Sequence, residues 1–130
     1  MAEERNARGE LERLGQVMIP VTDLGRATAF YRDVLEVPFL FDVPRMAFFE
    51  LGGLRLMLGE REDGAAATGS ILYFQVEDID TASDRLRRRG VAFDQDPTLI
   101  AEMEDHDLWM AFFRDSEGNQ MALMSEVADD

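Results

Sequence analysis

The sequence predicts an α+β domain in which one βαβββ unit is used twice. Three observations carry this. First, Val21-Thr-Asp23-Leu24-Gly-Arg-Ala27 matches Val76-Glu-Asp78-Ile79-Asp-Thr-Ala82 position for position, at an offset of 76 − 21 = 55 residues. Second, each copy falls where a short apolar strand gives way to helical spacing. Third, the runs Leu108–Arg114 and Gln120–Met124 flank the turn cluster Asp115-Ser-Glu-Gly118-Asn119 and read as a β-hairpin. Those runs are hydrophobic on both faces, as expected when one face meets helices and the other walls an enclosed space.

The elements follow in order. Residues 1–15 form a polar arm, frayed or shaped as a short surface helix. Val17–Val21 is a strand, and Asp23 suits the N-cap of a helix running to Glu36. Leu24, Ala27, Phe30, Tyr31, Val34 and Leu35 fall on one face of that helix. Pro38–Phe41 is a short strand, and Met46–Leu51 and Leu54–Leu58 form a hairpin about Gly52-Gly53. Residues 60–69, rich in charge, Ala and Gly, read as a linker. Ile71–Val76 is the next strand. Asp78 caps a helix through about Arg89, with Ile79, Ala82 and Leu86 on one face and Gly90 as its stop. Val91–Phe93 is a strand, Pro97–Asp105 a long connection, and the closing hairpin follows. The domain therefore spans 16–126, with modules at about 16–59 and 70–126 and an acidic tail at 127–130.

Composition removes whole classes of chemistry. The chain has 130 residues, the size of one domain with a real core. Its net charge of −14 argues against nucleic acid, which requires a positive field. The acidity favours solubility and draws in cationic ligands. No apolar run approaches a membrane span, and the first 15 residues are too charged for a secretory signal, so a cytoplasmic location is expected. All 13 basic residues are Arg, which removes Schiff-base lysine chemistry and the phosphate-loop lysine. The lack of Cys removes thiolate nucleophiles and Cys-bound zinc. With His106 as the only histidine, every multi-histidine metal site is removed as well.

Pro20-Val-Thr-Asp23-Leu-Gly-Arg-Ala-Thr-Ala-Phe30-Tyr31-Arg-Asp-Val-Leu35 is the first of three motifs that share a further likeness. Phe74-Gln-Val-Glu-Asp78-Ile79 with Leu86 and Gly90 is the second, and Phe113-Arg-Asp115-Ser-Glu-Gly118-Asn119 is the third. With paired βαβββ units, they resemble the vicinal oxygen chelate superfamily: glyoxalase I, bleomycin-resistance proteins, extradiol dioxygenases and methylmalonyl-CoA epimerase. The likeness covers Gln16–Glu126 and implies a curved, mostly antiparallel sheet forming a cup, with helices on its outer face. It is specific for fold and loose for activity, because the superfamily spans lyases, isomerases, oxygenases and binding proteins.

In the metal-dependent relatives the cup floor carries the ligands, and the resemblance maps them to Gln16, Met57, Ile71 and Ala122. The repeat agrees, since 71 − 16 is again 55. Gln16 is an acceptable ligand, but Ile and Ala have no donor atom and a Met thioether is too soft for Mg²⁺, Mn²⁺, Fe²⁺ or Ni²⁺. A one-residue slip would offer Ser70 and Met121, also poor ligands. No metal and no other cofactor is expected.

Strand alternation from the floor adds Met18, Arg55, Tyr73, Gln75, Gln120 and Met124 to the inward set. Pairing 51 with 54 puts Phe48 opposite Met57 and Glu50 opposite Arg55. Pairing 114 with 119 puts Ala111 beside Ala122, with Trp109 and Phe113 inward, unless a bulge flips them. Such a lining suits a flat hydrophobic or aromatic small molecule held by stacking and thioether packing. The same side chains would also serve as plain core. Glu50–Arg55 reads as a ligand clamp near the rim or as a surface cross-strand pair.

Two functional expectations result. The first is metal-free sequestration of a small molecule by a homodimer, as in bleomycin-resistance proteins. The second is a lyase or isomerase using His106, Tyr73 or Glu50, or a metal at a differently mapped site. His106, flanked by acids on the long connection, fits either an acid/base at the cavity mouth or a solvated loop residue.

Overall fold

The computed structural model describes residues 10, 13–61 and 70–128. The linker at 62–69, most of the N-terminal arm and the last two residues lie outside the described set. The element order is βαβββ twice. The first unit has β1 (Gln16–Val21), α1 (Leu24–Ala29), β2 (Phe39–Val43), β3 (Met46–Leu51) and β4 (Leu54–Glu60). The second has β5 (Leu72–Gln75), α2 (Ile79–Arg88), β6 (Phe93–Glu102), β7 (His106–Arg114) and β8 (Gln120–Ala128).

Each unit makes its own four-stranded mixed sheet, in the orders β1-β4-β3-β2 and β5-β8-β7-β6. In both, the first strand of the unit runs parallel to the last, and the remaining pairs are antiparallel. One face of each sheet packs on the helices. Ile19, Val21, Phe49, Leu56 and Leu58 of the first sheet share one buried cluster with Ala111, Phe113, Met121 and Leu123 of the second. Ala27, Tyr31, Ile79 and Leu86 from the helices complete it. A single core spanning both units fixes the two opposite, outward faces, which carry the candidate site.

Asp23 caps α1 by accepting from the Arg26 amide (3.1 Å), and Asp78 caps α2 from the Thr81 amide (3.2 Å). α2 ends at Gly90, whose φ of +96° is the left-handed stop expected of glycine. α1 ends differently. It widens into a π-helical turn, Phe30–Val34, in which the Leu35 amide donates to the Phe30 carbonyl five residues back (3.0 Å). The helix expected to run evenly to Glu36 is thus two structures, and Tyr31 sits at the change.

Other expectations need correction. Residues 97–102, read as part of a long connection, belong to the ten-residue β6. Pro97 is tolerated because β6 is an edge strand with register shifts between Phe93 and Gln95, Gln95 and Thr98, and Leu99 and Ala101. His106 is therefore the first residue of β7, paired with Ala128, and β8 runs two residues into the stretch read as an acidic tail. The first hairpin has the expected register, Leu51 opposite Leu54, through Gly52 and Gly53 with φ of +59° and +86°.

The last hairpin is one residue out of the expected register. Arg114 pairs with Gln120, so Phe112 rather than Ala111 faces Ala122. The cause is the Asp115 side chain. Its carboxylate accepts from the amides of Glu117 (2.9 Å) and Asn119 (2.8 Å) and from Asn119 Nδ2 (3.0 Å), closing a five-residue loop. One extra residue in the loop turns every β7 side chain to the other face.

Candidate functional site

On the outward face of the first sheet two rows cross the strands. Met18, Met57, Phe48 and Phe41 form one, and Gln16, Arg55 and Glu50 the other. Their alternates, Val17, Leu56 and Phe49, pack inward, so the rows are set by strand period alone. Phe41 and Phe48 stack with ring centroids 4.7 Å apart. The Arg55 guanidinium lies over both, 5.9 Å from the first ring and 5.6 Å from the second. Met18 is 50% exposed and Phe41 43% exposed, unusual for side chains of this size in a row.

Glu50 does not pair with Arg55, as a clamp would require. Its carboxylate accepts the Gly53 amide at 2.7 Å and serves the turn.

The outward face of the second sheet carries Tyr73, Gln75, Phe112, Ala122, Met110 and Met124. Tyr73, 46% exposed, meets Phe112 edge-on at 6.2 Å above the fully buried Ala122. Trp109, expected to line the cavity, stands on the other face with Ala111 and Phe113, against the core; the register shift explains it. Phe112 and Met110 take the place assigned to Trp109 and Phe113.

The mapped floor positions can be tested as a metal centre. Gln16 Nε2 approaches the Met57 sulfur at 3.9 Å, Ile71 lies one residue before β5, and Ala122 is buried. One amide and one thioether do not suit a hard divalent ion. Among the described residues no three His, Cys, Asp or Glu side chains are grouped to hold one. Met18, Ser70 and Gln120 share a cleft of about 300 Å³ between the edges of the two sheets.

The three candidate acid/base groups stand apart within the chain. His106 and Phe112, the neighbour of Tyr73, are six residues apart on β7, about 20 Å along the strand. Glu50 belongs to the other sheet. His106 Nδ1 is 2.7 Å from Asp105, and this hydrogen bond holds the exposed Asp105 carboxyl below its ordinary value.

Beside the shared apolar core, two polar ties join the units, one buried at Tyr31 and one exposed at Glu117. Tyr31 donates its hydroxyl to Asp115 at 2.7 Å. Burial, with the Asp115 charge second, drives the Tyr31 phenol far above the tyrosine range, so it remains a donor. Glu117 accepts from the Thr22 amide (2.9 Å), the Thr22 hydroxyl (2.8 Å) and the Asp23 amide (2.9 Å). Burial raises its pKa, but these hydrogen bonds outweigh it, and with Arg26 they hold the carboxyl below its ordinary value. The closing turn of the second unit thereby fastens the start of α1.

With this geometry in place, the comparisons with known proteins are consistent. The profile of the Glyoxalase/Bleomycin resistance protein/Dioxygenase superfamily matches residues 13–123, and the chain belongs to that superfamily. It is 29% identical over 125 residues to YraH, an uncharacterised Bacillus subtilis (strain 168) protein, covering 82% of this chain and 93% of YraH. Lactoylglutathione lyase from Agrobacterium tumefaciens shares the fold with a TM-score of 0.75 at 19% identity, over 90% of this chain and 96% of that one. TnmS3, an antibiotic binding protein from Streptomyces sp. CB03234, does so with a TM-score of 0.74 at 23% identity, over 92% and 99%.

Proposed function

We propose that this protein binds a hydrophobic or aromatic small molecule on the outward sheet faces, without a metal, as a cytoplasmic homodimer of the drug-sequestering type. The observation that carries the reading is the row Met18–Met57–Phe48–Phe41, apolar and aromatic, exposed at its two ends, and holding at Met57 a thioether where the resemblance maps a metal ligand. Stacked rings and thioethers adapt to flat apolar molecules through area and dispersion. The fold likeness to an antibiotic binding protein is in keeping with this reading. A second copy would cover the large apolar side chains left exposed on both sheets, among them Leu40, Val43, Tyr73 and Ile100.

A thermal-shift screen of aromatic and glycopeptide-like compounds tests the proposal. A true ligand at ~100 times its Kd stabilises by about 2.7 kcal/mol. Metal analysis of the purified protein is the second arm. Stoichiometric Ni, Zn, Mn or Fe would defeat the metal-free reading and favour a lyase or isomerase. Light scattering giving a monomer across the working range would remove the dimer.

A further inference from the structure

Resting on that reading, we infer that the ligand is an aromatic anion, and that Arg55 selects its charge. Arg55 projects from β4 onto the exposed face beside the Phe41–Phe48 stack. Among the described residues no hydrogen bond or ion pair engages its guanidinium, which lies over the two rings. A guanidinium lying over rings keeps its in-plane N–H groups available, and their fork matches a carboxylate, sulfonate or phosphate. Glu50, its neighbour in the ladder, is the natural internal partner, yet its carboxylate is turned to the Gly53 amide. Gln16, on the other side of Arg55, adds a neutral amide to the same row.

The same arrangement disfavours a cation. The ring faces that would attract one already carry Arg55, so a cationic ligand would meet a like charge. The net charge of −14 argues the other way, but the general field acts over long range. At physiological ionic strength it is screened beyond about 8 Å, whereas a contact with Arg55 is not. An anionic aromatic molecule can therefore pack against the edges of the Phe41–Phe48 pair and place its charge on the guanidinium edge, a contact the apolar surface alone cannot supply.

Two fluorescent probes of similar shape separate the terms: anilinonaphthalene sulfonate, which is anionic, and N-phenylnaphthylamine, which is neutral. Both are titrated against the full chain, the Arg55→Gln and Arg55→Lys variants, and Phe48→Ala, with circular dichroism confirming that each is folded. The expected result is that Arg55→Gln raises the Kd of the sulfonate about ten-fold more than that of the neutral amine. Arg55→Lys should recover part of this, and added salt should weaken sulfonate binding to the wild type but not to Arg55→Gln. Phe48→Ala should weaken both probes alike. Equal losses for the two probes in Arg55→Gln, or none, would overturn charge selection while leaving the apolar site standing. If neither probe binds the wild type, the small-molecule reading falls and takes this inference with it.

Discussion

The two units share a backbone plan and differ in how they are held. Tyr31 and Leu86 occupy equivalent places, 86 − 31 = 55, each a buried side chain on the helix of its unit. Leu86 makes only apolar contact. Tyr31 packs on Phe49 (6.0 Å) and also donates to Asp115 in the other unit. At this position the second helix is seated by hydrophobic burial, with polar ties at its C-terminal end, where Arg87 pairs with Asp96 and Arg89 donates to the Val34 carbonyl (2.7 Å). The first helix instead depends on a buried carboxylate that simultaneously shapes the last hairpin. The two units keep one topology while their helices are tied across to the other unit by different polar contacts.

If that contrast is right, the largest loss comes from Asp115→Ala, which strands the Tyr31 hydroxyl, two amides and Asn119 Nδ2. We expect about 3–5 kcal/mol in urea unfolding, near the limit of what a domain tolerates. A value under ~1 kcal/mol would erase the difference between the units. Leu86→Ala, the apolar counterpart, should cost about 2–4 kcal/mol by lost transfer energy and cavity. Tyr31→Phe keeps the ring and removes one donor from Asp115, so about 1–2 kcal/mol is expected. Gly53→Ala places a side chain at φ +86° and should cost roughly 1 kcal/mol, without affecting the second unit.

The smallest effect is pH-dependent and belongs to the first unit's helix entry. Glu117 has a folded pKa below its ordinary 4.5. Its stabilisation is therefore fully present above that value and disappears as pH falls through the folded pKa. Wild type and Glu117→Gln should differ in thermal midpoint at neutral pH and converge once the pH has fallen below the folded pKa of Glu117. A gap that persists there would show that the carboxylate charge is not what holds Thr22 and Asp23.

What the sequence disclosed, and what it concealed, follows the same physics. Caps Asp23 and Asp78, the stop at Gly90 and the turn at Gly52-Gly53 are local, decided by a few neighbouring atoms, and were legible. So were the strand faces bearing Gln16, Met18, Phe48, Arg55, Met57, Tyr73, Ala122 and Met124, because period 2 leaves no choice once one residue is placed. The last hairpin was not, since its register is set by how Asp115 folds back on Glu117 and Asn119. Trp109 went to the wrong face as a direct result. Phe41 was missed because Pro38–Phe41 carried no facing assignment, although its pairing with the Met46–Leu51 strand would have supplied one. The π-helical turn after Ala29 left no local mark at all, and Pro97 concealed an edge strand by suggesting a loop.

The hydrogen bonds from Thr22 and Asp23 to Glu117 join residues 95 and 94 positions apart. During synthesis the first helix emerges long before the carboxylate that steadies its entrance exists. Until residues 115 and 117 have emerged, that helix has Asp23 alone at its start and the Tyr31 hydroxyl lacks its carboxylate partner. The nascent first unit therefore lacks both of these ties until the closing turn of the second unit arrives.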